Sequence, residues 1–207
     1  MRTRWCSRRS NRSLRRLAAA TSILLIAFTG CDRAEDERTA ETTSPPAATP
    51  TPTACSVTDA TSQTQRSDTM PESAPLTDLR YDDEDCPRIA FEFVDHQPAY
   101  AVGYASPPFS ECGSGEEVST EGWGAGAFLR VRLEPSGTVD TSDPEARQTY
   151  TGPRDIDARG RILKHFRVVC DFEAVLEWIV GLDSKHDFRV FTLDDPSRVV
   201  IDISETR

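Results

Sequence analysis

The sequence lacks the local signatures of several common catalytic and metal-binding sites. None of its six cysteines has C-x-x-C spacing, and neither an H-E-x-x-H run nor a G-x-S-x-G turn occurs. The glycine-rich stretch "GWGAGAF" (122–128) lacks the Gly-Lys-Ser/Thr ending of a phosphate-binding loop. The three histidines, His96, His165 and His186, are predicted to fall in a turn, a strand and another turn. The sequence therefore predicts no metal, no cofactor and no enzymatic activity.

Positive charge is scarce beyond the N-terminal thirty residues. Those thirty contain seven arginines and no acid, which leaves 17 of the 24 basic residues against all 34 acidic ones. The chain beyond residue 30 is therefore strongly acidic. It repels phosphate backbones and lacks the basic face that nucleic-acid binding needs. We therefore expect no nucleic-acid partner.

Long apolar runs are also lacking. The run "LAAATSILLIAF" (17–28) is too short to cross about 30 Å of hydrocarbon as a helix, but it has the length of the apolar region of a signal peptide. It follows an arginine-rich start and precedes Thr29, Gly30 and Cys31. Residues 1–30 are therefore predicted to be a signal peptide.

The stretch "FTGC" (28–31) resembles the lipobox of bacterial lipoproteins, in which a signal peptidase cuts before the cysteine and the thiol receives a diacylglycerol. Phe28 stands where leucine is usual. The resemblance implies a lipid-modified (palmitate-bearing) Cys31 that holds the mature chain on the extracytoplasmic face of the cell membrane, because several acyl chains anchor firmly where one binds only marginally. The alternative is an ordinary secretory signal with an incidental cysteine.

Residues 31–78 contain few large apolar side chains that could be buried in a core. Thr, Ser, Pro, Ala and acidic residues dominate, as in "AETTSPPAATPTPTAC". Without apolar burial the entropy cost of ordering cannot be offset, and the Pro-Thr run favours extended polyproline II of about 3 Å per residue. We expect a disordered tether that lifts a domain away from the bilayer into the wall.

Alternating apolar residues dominate after residue 79. The segments "RIAFEFV" (88–94), "AYAVGY" (99–104) and "AFLRVRL" (127–133) show this pattern, and "ILKHFRVV" (162–169) is a fourth candidate. A period of two with one polar face is typical of antiparallel strands. With the C-terminal segments, the pattern predicts a mainly all-β domain over 79–205, a small antiparallel β-sandwich of about seven strands with at most one short helix.

The segment "DFEAVLEWIVGL" (171–182) fits two structures. Its apolar residues form a stripe at helical spacing, with Asp171 as the N-cap. Its β-branched and aromatic residues favour instead a short turn followed by a strand, and "SKHD" (184–187) is typical of a hairpin connection to "FRVFTL" (188–193). We favour the strand.

The C-terminal stretch "DPSRVVIDI" (195–203) begins in a turn, where proline presets φ, and ends in an apolar run. It resembles the C-terminal signature of AMIN-type domains, small β-sandwiches named for the N-terminal module of certain wall amidases. Together with "YTGPR" (150–154) and the strands above, taken in order, it resembles an AMIN-like domain of bacterial lipoproteins over nearly everything after residue 78.

The resemblance implies a non-catalytic domain that binds peptidoglycan or another glycan of the cell envelope. Two alternatives remain open. One is an accessory lipoprotein that presents the domain to an envelope protein, and the other is a cell-wall hydrolase.

Three side chains are candidates for ligand contacts. Arg198 and Asp202 lie about 13 Å apart along a strand, so they cannot pair directly, and we expect each to anchor a neighbouring turn or strand, Asp202 by accepting backbone donors. A ligand role is the alternative for Arg198. Trp123 and Tyr104 are candidates for stacking on sugar rings, but for Trp123 we favour core packing and keep sugar stacking as the alternative.

Four cysteines remain once Cys6 leaves with the signal peptide and Cys31 is lipidated. An even number in an exported chain predicts disulfides. Two of the four lie just beyond strands inside the domain, so we predict the pair Cys112–Cys170, which leaves Cys55–Cys86. The alternative is that Cys55 stays free in the tether.

Overall fold

The computed structural model describes residues 57–68 and 72–205. The predicted signal peptide, Cys31, Cys55 and the tether up to residue 56 lie outside the described residues. Within the described ranges there is no helix, and the chain forms fourteen strands, so the expected all-β class is confirmed. The strands are β1 (Gln65–Arg66), β2 (Leu76–Asp82), β3 (Arg88–Phe93), β4 (Ala99–Ala105), β5 (Phe109–Ser110), β6 (Glu117–Val118), β7 (Ala127–Glu134), β8 (Val139–Asp140), β9 (Arg147–Gln148), β10 (Asp155–Asp157), β11 (Leu163–Phe172), β12 (Val175–Leu182), β13 (Phe188–Leu193) and β14 (Arg198–Ile203).

The strands form two main sheets in which every neighbouring pair is antiparallel. One sheet has six strands in the order β1-β4-β7-β12-β11-β10, and the other has four in the order β13-β14-β3-β2. Two short hairpins, β5–β6 and β8–β9, complete the described structure. The seven strands expected from sequence are all present as β3, β4, β7, β11, β12, β13 and β14.

The main core lies between the two sheets. Phe91 and Ile201 of the four-stranded sheet and Val131 and Trp178 of the six-stranded sheet are fully buried in one cluster. The rings of Phe91 and Trp178 lie 6.1 Å apart, which joins the two layers directly. Removing this apolar surface from water is the main favourable contribution to folding, at about 25 cal/mol per Å².

The segment from Asp171 to Leu182 forms no helix. Strand β11 continues to Phe172, and a two-residue turn of Glu173 and Ala174 leads into β12, with Phe172 paired to Val175. Both turn residues have positive φ, 49° and 59°, as the tight turns of two-residue hairpins require. The strand interpretation is confirmed, and the alternative helix is wrong.

The expected hairpin at residues 184–187 is wrong. Strand β12 pairs with β7 on one side and β11 on the other, so it has no free edge for a following strand. The chain crosses instead to the second sheet, where β13 pairs with β14. The turn at residues 194–197 does connect those two strands, as expected, and its Asp195–Pro196 peptide is cis.

The end of the predicted tether is part of the domain. Residues 61–67, here called the strap, bridge both sheets: Thr61 exchanges two backbone hydrogen bonds with Phe188 of β13, and Gln65–Arg66 (β1) pair with β4. Strand β2 also begins at Leu76, before the expected boundary at residue 79. The sequence predicted a tether here because the strap is polar, and its order comes from hydrogen bonds to unpaired strand edges.

A second, smaller core lies on the outer face of the six-stranded sheet. Residues 106–126, here called the flap, leave β4, form the β5–β6 hairpin and return to β7. Their Phe109 and Trp123 pack on Val169 and Ile179 of the sheet. The flap therefore covers one half of that face and leaves the half nearest β1 open.

Candidate functional site

The C-terminal signature strand β14 lies inside the four-stranded sheet, between β13 and β3. Asp202 is only 5% exposed, and its carboxylate accepts hydrogen bonds from Arg88 at 2.5 and 2.9 Å and from Arg189 at 3.4 Å. Both guanidinium groups also lie over the ring of Phe191, at 5.7 and 4.7 Å. Asp202 is thus an anchor between strands, as expected, but its donors are arginines and not backbone groups.

Arg198 has the structural role that the sequence favoured. Its Nε donates to the carbonyl of Pro196 at 3.1 Å, and its Nη2 donates to the carbonyl of Asp195 at 3.3 Å. These bonds hold the turn between β13 and β14. On this outer face the charged side chains of the signature are therefore engaged with their own sheet.

Tyr104 holds the chain where it crosses between the sheets. Its hydroxyl donates to the carbonyl of His186 at 2.6 Å and accepts from the backbone N–H of His186 at 2.8 Å. Its ring packs edge-on against Phe188, with centroids 5.8 Å apart. Burial raises the pKa of Tyr104 to about 12, against a smaller opposing effect of the His186 backbone bond. The hydroxyl stays protonated at physiological pH, as its donor role requires.

Trp123 packs in the second core, only 9% exposed. Its ring stacks on His165 with centroids 4.0 Å apart and planes 14° apart. His165 pairs through Nε2 with Asp155 at 2.6 Å, and Arg167 bridges Asp155 to Glu111 of the flap at 2.6 and 2.7 Å. This network fastens the flap to β10 and β11, so Trp123 has the packing role that the sequence favoured.

The three ligand candidates are not brought together. Trp123 lies in the flap and packs on the sheet, Tyr104 lies beside the chain that crosses between the sheets, and Arg198 lies at the turn of the other sheet. The predicted disulfide is formed, since Cys112 of the flap and Cys170 of β11 are bonded with Cα atoms 5.1 Å apart. Cys55 lies outside the described residues, so its pairing with Cys86 stays a prediction.

His186 meets a serine and a carboxylate, the combination that a hydrolase would need. Its Nε2 lies 2.8 Å from Asp183 Oδ1 and 3.1 Å from Ser184 Oγ, while its Nδ1 lies 3.0 Å from the carbonyl of Ser204. Each ring nitrogen thus lies against an oxygen atom of the surrounding chain. A general base needs a free nitrogen facing the nucleophile and an orienting partner on the other nitrogen. The geometry favours fastening the loop at Asp183 to the C-terminal strand.

A groove of about 430 Å³ opens on the uncovered half of the six-stranded sheet. Its lining comes from the strap, from β4 and from the end of β7 together with the residue that follows. The lining residues are Arg66, Ser67, Ala99, Tyr100, Ala101, Arg132, Glu134 and Pro135.

The pairing register places two arginines on either side of one alanine in this groove. Ala101 of β4 pairs with Arg66 on one side and with Arg132 on the other. The backbones of the two arginines are therefore about 10 Å apart, two strand spacings. Since the floor is an alanine, a ligand can approach between the guanidinium groups.

The two arginines differ in their partners. Arg132 donates to Glu134 at 2.7 and 3.0 Å and lies 3.7 Å from Glu177. Arg66 is exposed and has no carboxylate partner among residues 57–68 and 72–205. In a chain with twice as many acids as bases beyond residue 30, an exposed arginine without an acidic partner marks a surface able to accept an anionic group.

No sequence pattern indicates this groove. Arg66 lies in a stretch that resembles a tether, and Arg132 has the spacing of an ordinary outward strand residue. The two become neighbours only through the pairing of three strands, and nothing in the linear sequence indicates that register.

The comparisons with known proteins identify the family. The model of the AMIN-like domain family matches residues 74–205, which is more than half of the chain. The chain therefore belongs to the AMIN-like domain family, which indicates an envelope-associated domain. No curated protein and no solved structure matches the chain. None of the described residues forms a helix that could cross a membrane.

Proposed function

We propose that this chain is a non-catalytic lipoprotein of the bacterial cell envelope whose AMIN-like domain binds peptidoglycan. The observation that carries the proposal is the family match over residues 74–205, because AMIN domains are associated with binding to peptidoglycan and the envelope. The groove between the strap and β7 is the proposed contact surface. It is open, and it includes an arginine that is not engaged by the domain itself.

The other large outer face supports the proposal less well. Arg88 and Arg189 are held by Asp202 and Phe191, and Arg198 is held by its own turn. A ligand there would have to displace these bonds. In the groove Arg132 is held by Glu134 and Glu177, but Arg66 has no carboxylate partner among the described residues and can bind a ligand without breaking an ion pair.

Cosedimentation with purified peptidoglycan sacculi tests the binding. The full chain in mild detergent is mixed with sacculi from which proteins and covalently attached polymers have been removed. We expect the chain to pellet with the sacculi and to stay in solution without them. A chain that remains in the supernatant at every sacculus concentration contradicts the proposal.

The anchor needs its own test, since Cys31 lies outside the described residues. We propose that the chain is lipidated at Cys31 and held on the extracytoplasmic face of the cell membrane, as the stretch "FTGC" suggests. Mass spectrometry of the N-terminal peptide isolated from membranes should find a chain that begins at Cys31 with diacylglycerol attached. An N-terminal peptide without lipid, or one that begins at Met1, contradicts the anchor.

The absence of catalysis is also part of the proposal. The contacts of His186 support it, because Ser184 and Asp183 share one ring nitrogen. Incubation of the full chain with sacculi should release no soluble fragments above the buffer control. Release that disappears in a Ser184→Ala variant would identify a hydrolase instead.

The alternative of an accessory protein that binds a partner protein has little support from the apolar surface. The exposed large apolar side chains of the described residues are Tyr81, Phe172 and Leu193. They belong to β2, β11 and β13, which are three strands that do not neighbour one another in either sheet. Protein-binding surfaces typically present contiguous apolar patches.

A further inference from the structure

We infer that the groove between the strap and β7 recognises the acidic peptide of the wall polymer, with one carboxylate held between Arg66 and Arg132 above Ala101. The inference rests on the proposed function, since it names the part of peptidoglycan that the domain contacts. It assigns the contact to a carboxylate and leaves the sugar rings outside the groove.

The lining chemistry favours a carboxylate over a sugar. Sugar-binding surfaces rely on exposed aromatic faces, and the aromatic lining residue, Tyr100, is half-buried and packs against the main core. Guanidinium groups bind carboxylates through paired N–H donors, and such charge-assisted bonds are about twice as strong as neutral ones. The groove has two guanidinium groups against the single carboxylate of Glu134, so its lining keeps a net positive charge that suits a carboxylate ligand.

The shape of the groove favours a short extended peptide. About 430 Å³ lies at the lower end of the range for small-ligand sites. Ala99 and Ala101 are successive outward residues of β4, so they form a floor along the strand that is free of large side chains. A peptide can lie along this floor with its carboxylate between the two arginines.

The charge balance leaves one arginine available for the ligand. Glu134 and Glu177 neutralise much of Arg132, while Arg66 has no acidic partner among the described residues. Arg66 is therefore expected to contribute most of the binding, and Arg132 to orient the second carboxylate oxygen. Because Arg66 is on the strap, the site exists only when the strap is docked on β4.

Binding of soluble wall fragments to the full chain tests the inference. Three probes are compared by isothermal titration calorimetry: the disaccharide that carries its acidic peptide, the same disaccharide without the peptide, and the peptide-bearing fragment with its carboxylates amidated. We expect binding of the first probe alone. Arg66→Gln should weaken that binding by about tenfold, the effect of one charge-assisted hydrogen bond.

Two further variants separate the groove from general charge. Ala101→Leu fills the floor without changing charge and should weaken binding of the first probe at least as much as Arg66→Gln. Arg80→Gln removes the same charge from the outer face of the other sheet and should leave binding unchanged, which makes it the matched control.

The outcomes distinguish this inference from the proposed function. Equal binding of the first probe by the wild type, Arg66→Gln and Ala101→Leu overturns the carboxylate site, although sedimentation with sacculi would still support peptidoglycan binding. Binding of the peptide-free disaccharide as tightly as the peptide-bearing one, or of no fragment at all, also overturns it. Failure of the wild type to sediment with sacculi contradicts the proposed function itself.

Discussion

At the residue scale, Asp171 shows how one carboxylate joins distant segments. It accepts from the hydroxyl and backbone N–H of Thr138 at 2.5 and 3.2 Å and from Arg154 at 2.6 Å. Burial acts to raise the pKa of Asp171, but the bonds from Thr138 and Arg154 outweigh burial and hold that pKa below its ordinary value. The sequence suggested Asp171 as a helix cap, whereas the structure uses it to hold the loop after β7 against β11.

Replacement of this carboxylate should destabilise the domain in a pH-dependent way. Asp171→Asn should lower the free energy of unfolding at pH 7 by about 1–3 kcal/mol, because it removes hydrogen bonds to a charged, mostly buried group. Since the folded pKa is depressed, the stabilisation is present above the unfolded pKa of about 3.9 and is lost as pH falls through the folded pKa. Urea denaturation across pH 2–7 measures the difference between the two proteins.

An exposed carboxylate provides the control for Asp171. Asp157 pairs with Arg159 at 2.6 Å on the surface, with both side chains largely exposed. Such pairs contribute about 0–1 kcal/mol, so Asp157→Asn should change the free energy of unfolding little. A gap between wild type and Asp171→Asn that stays constant down to pH 2 would contradict the role of ionised Asp171.

The roles of Arg198 and Asp202 were predictable in part. Their separation along an extended strand excluded a direct pair, and that argument needs only strand geometry. The partners of Asp202 were not predictable, because Arg88 and Arg189 become its neighbours through the register of β3 and β13 on either side. Linear sequence carries little information on that register.

At the scale of elements, the flap is fastened to the sheet by the Cys112–Cys170 disulfide and by the network around Arg167. The two cysteines are 58 residues apart in the sequence. A crosslink over that distance stabilises by about 4 kcal/mol in the loop-entropy model, because it restricts the unfolded chain. The second core is small, so the flap depends on this crosslink more than the main sheets do.

Removal of the disulfide should therefore loosen the flap first. The double variant Cys112→Ala/Cys170→Ala should unfold at lower urea concentration, with a loss of up to about 4 kcal/mol. Hydrogen exchange should accelerate within residues 109–125, while the central strands β7 and β12 stay protected. An unchanged denaturation midpoint with unchanged exchange in the flap would contradict this role.

One side chain of the strap, Gln65, makes hydrogen bonds to the edge of β13 of the kind that a neighbouring strand would make. The amide of Gln65 donates to the carbonyl of Phe188 at 2.7 Å and accepts from the N–H of Val190 at 3.0 Å. The N–H of Val190, on the edge of β13, is thereby bonded to a side chain, while the carbonyl of Phe188 also accepts from the backbone N–H of Thr61. On the other side, Thr64 packs over Gly103, where an added Cβ would lie 2.3 Å from the threonine hydroxyl.

Loss of this amide should detach the strap from β13. Gln65→Ala should speed exchange of the Val190 amide and lower the free energy of unfolding by about 1–2 kcal/mol, the contribution of two hydrogen bonds. Gln63→Ala changes an exposed glutamine two residues away and is the control. Equal Val190 exchange in the wild type and in Gln65→Ala would show that the strap does not depend on this contact.

Long strands were predictable from sequence, whereas short connections were not. The apolar alternation of β3, β4 and β7 specifies strands with one buried face, since a period of two fits no helix. Strands of two residues, such as β1 and β5, are too short to show any period. The turn at Glu173 and Ala174 contains no glycine or asparagine, the usual signal for positive φ, so its position had to come from pairing.

At the scale of the whole molecule, the two outer faces of the sandwich differ in how their arginines are engaged. The four-stranded sheet presents arginines that are engaged by Asp202, by Phe191 or by their own turn. The six-stranded sheet is covered by the flap at one end and open at the strap. A chain held at Cys31 would reach the domain through the strap, which also supplies Arg66 to the groove.

Hydrogen–deuterium exchange of the full chain, with and without purified sacculi, tests most directly whether this groove is the surface that binds the wall. We expect slower exchange with sacculi in residues 65–67, in β4 and at the end of β7 around Arg132, while β13 and β14 exchange as in the free protein. Unchanged exchange at the groove, or protection confined to β13 and β14, would contradict the account.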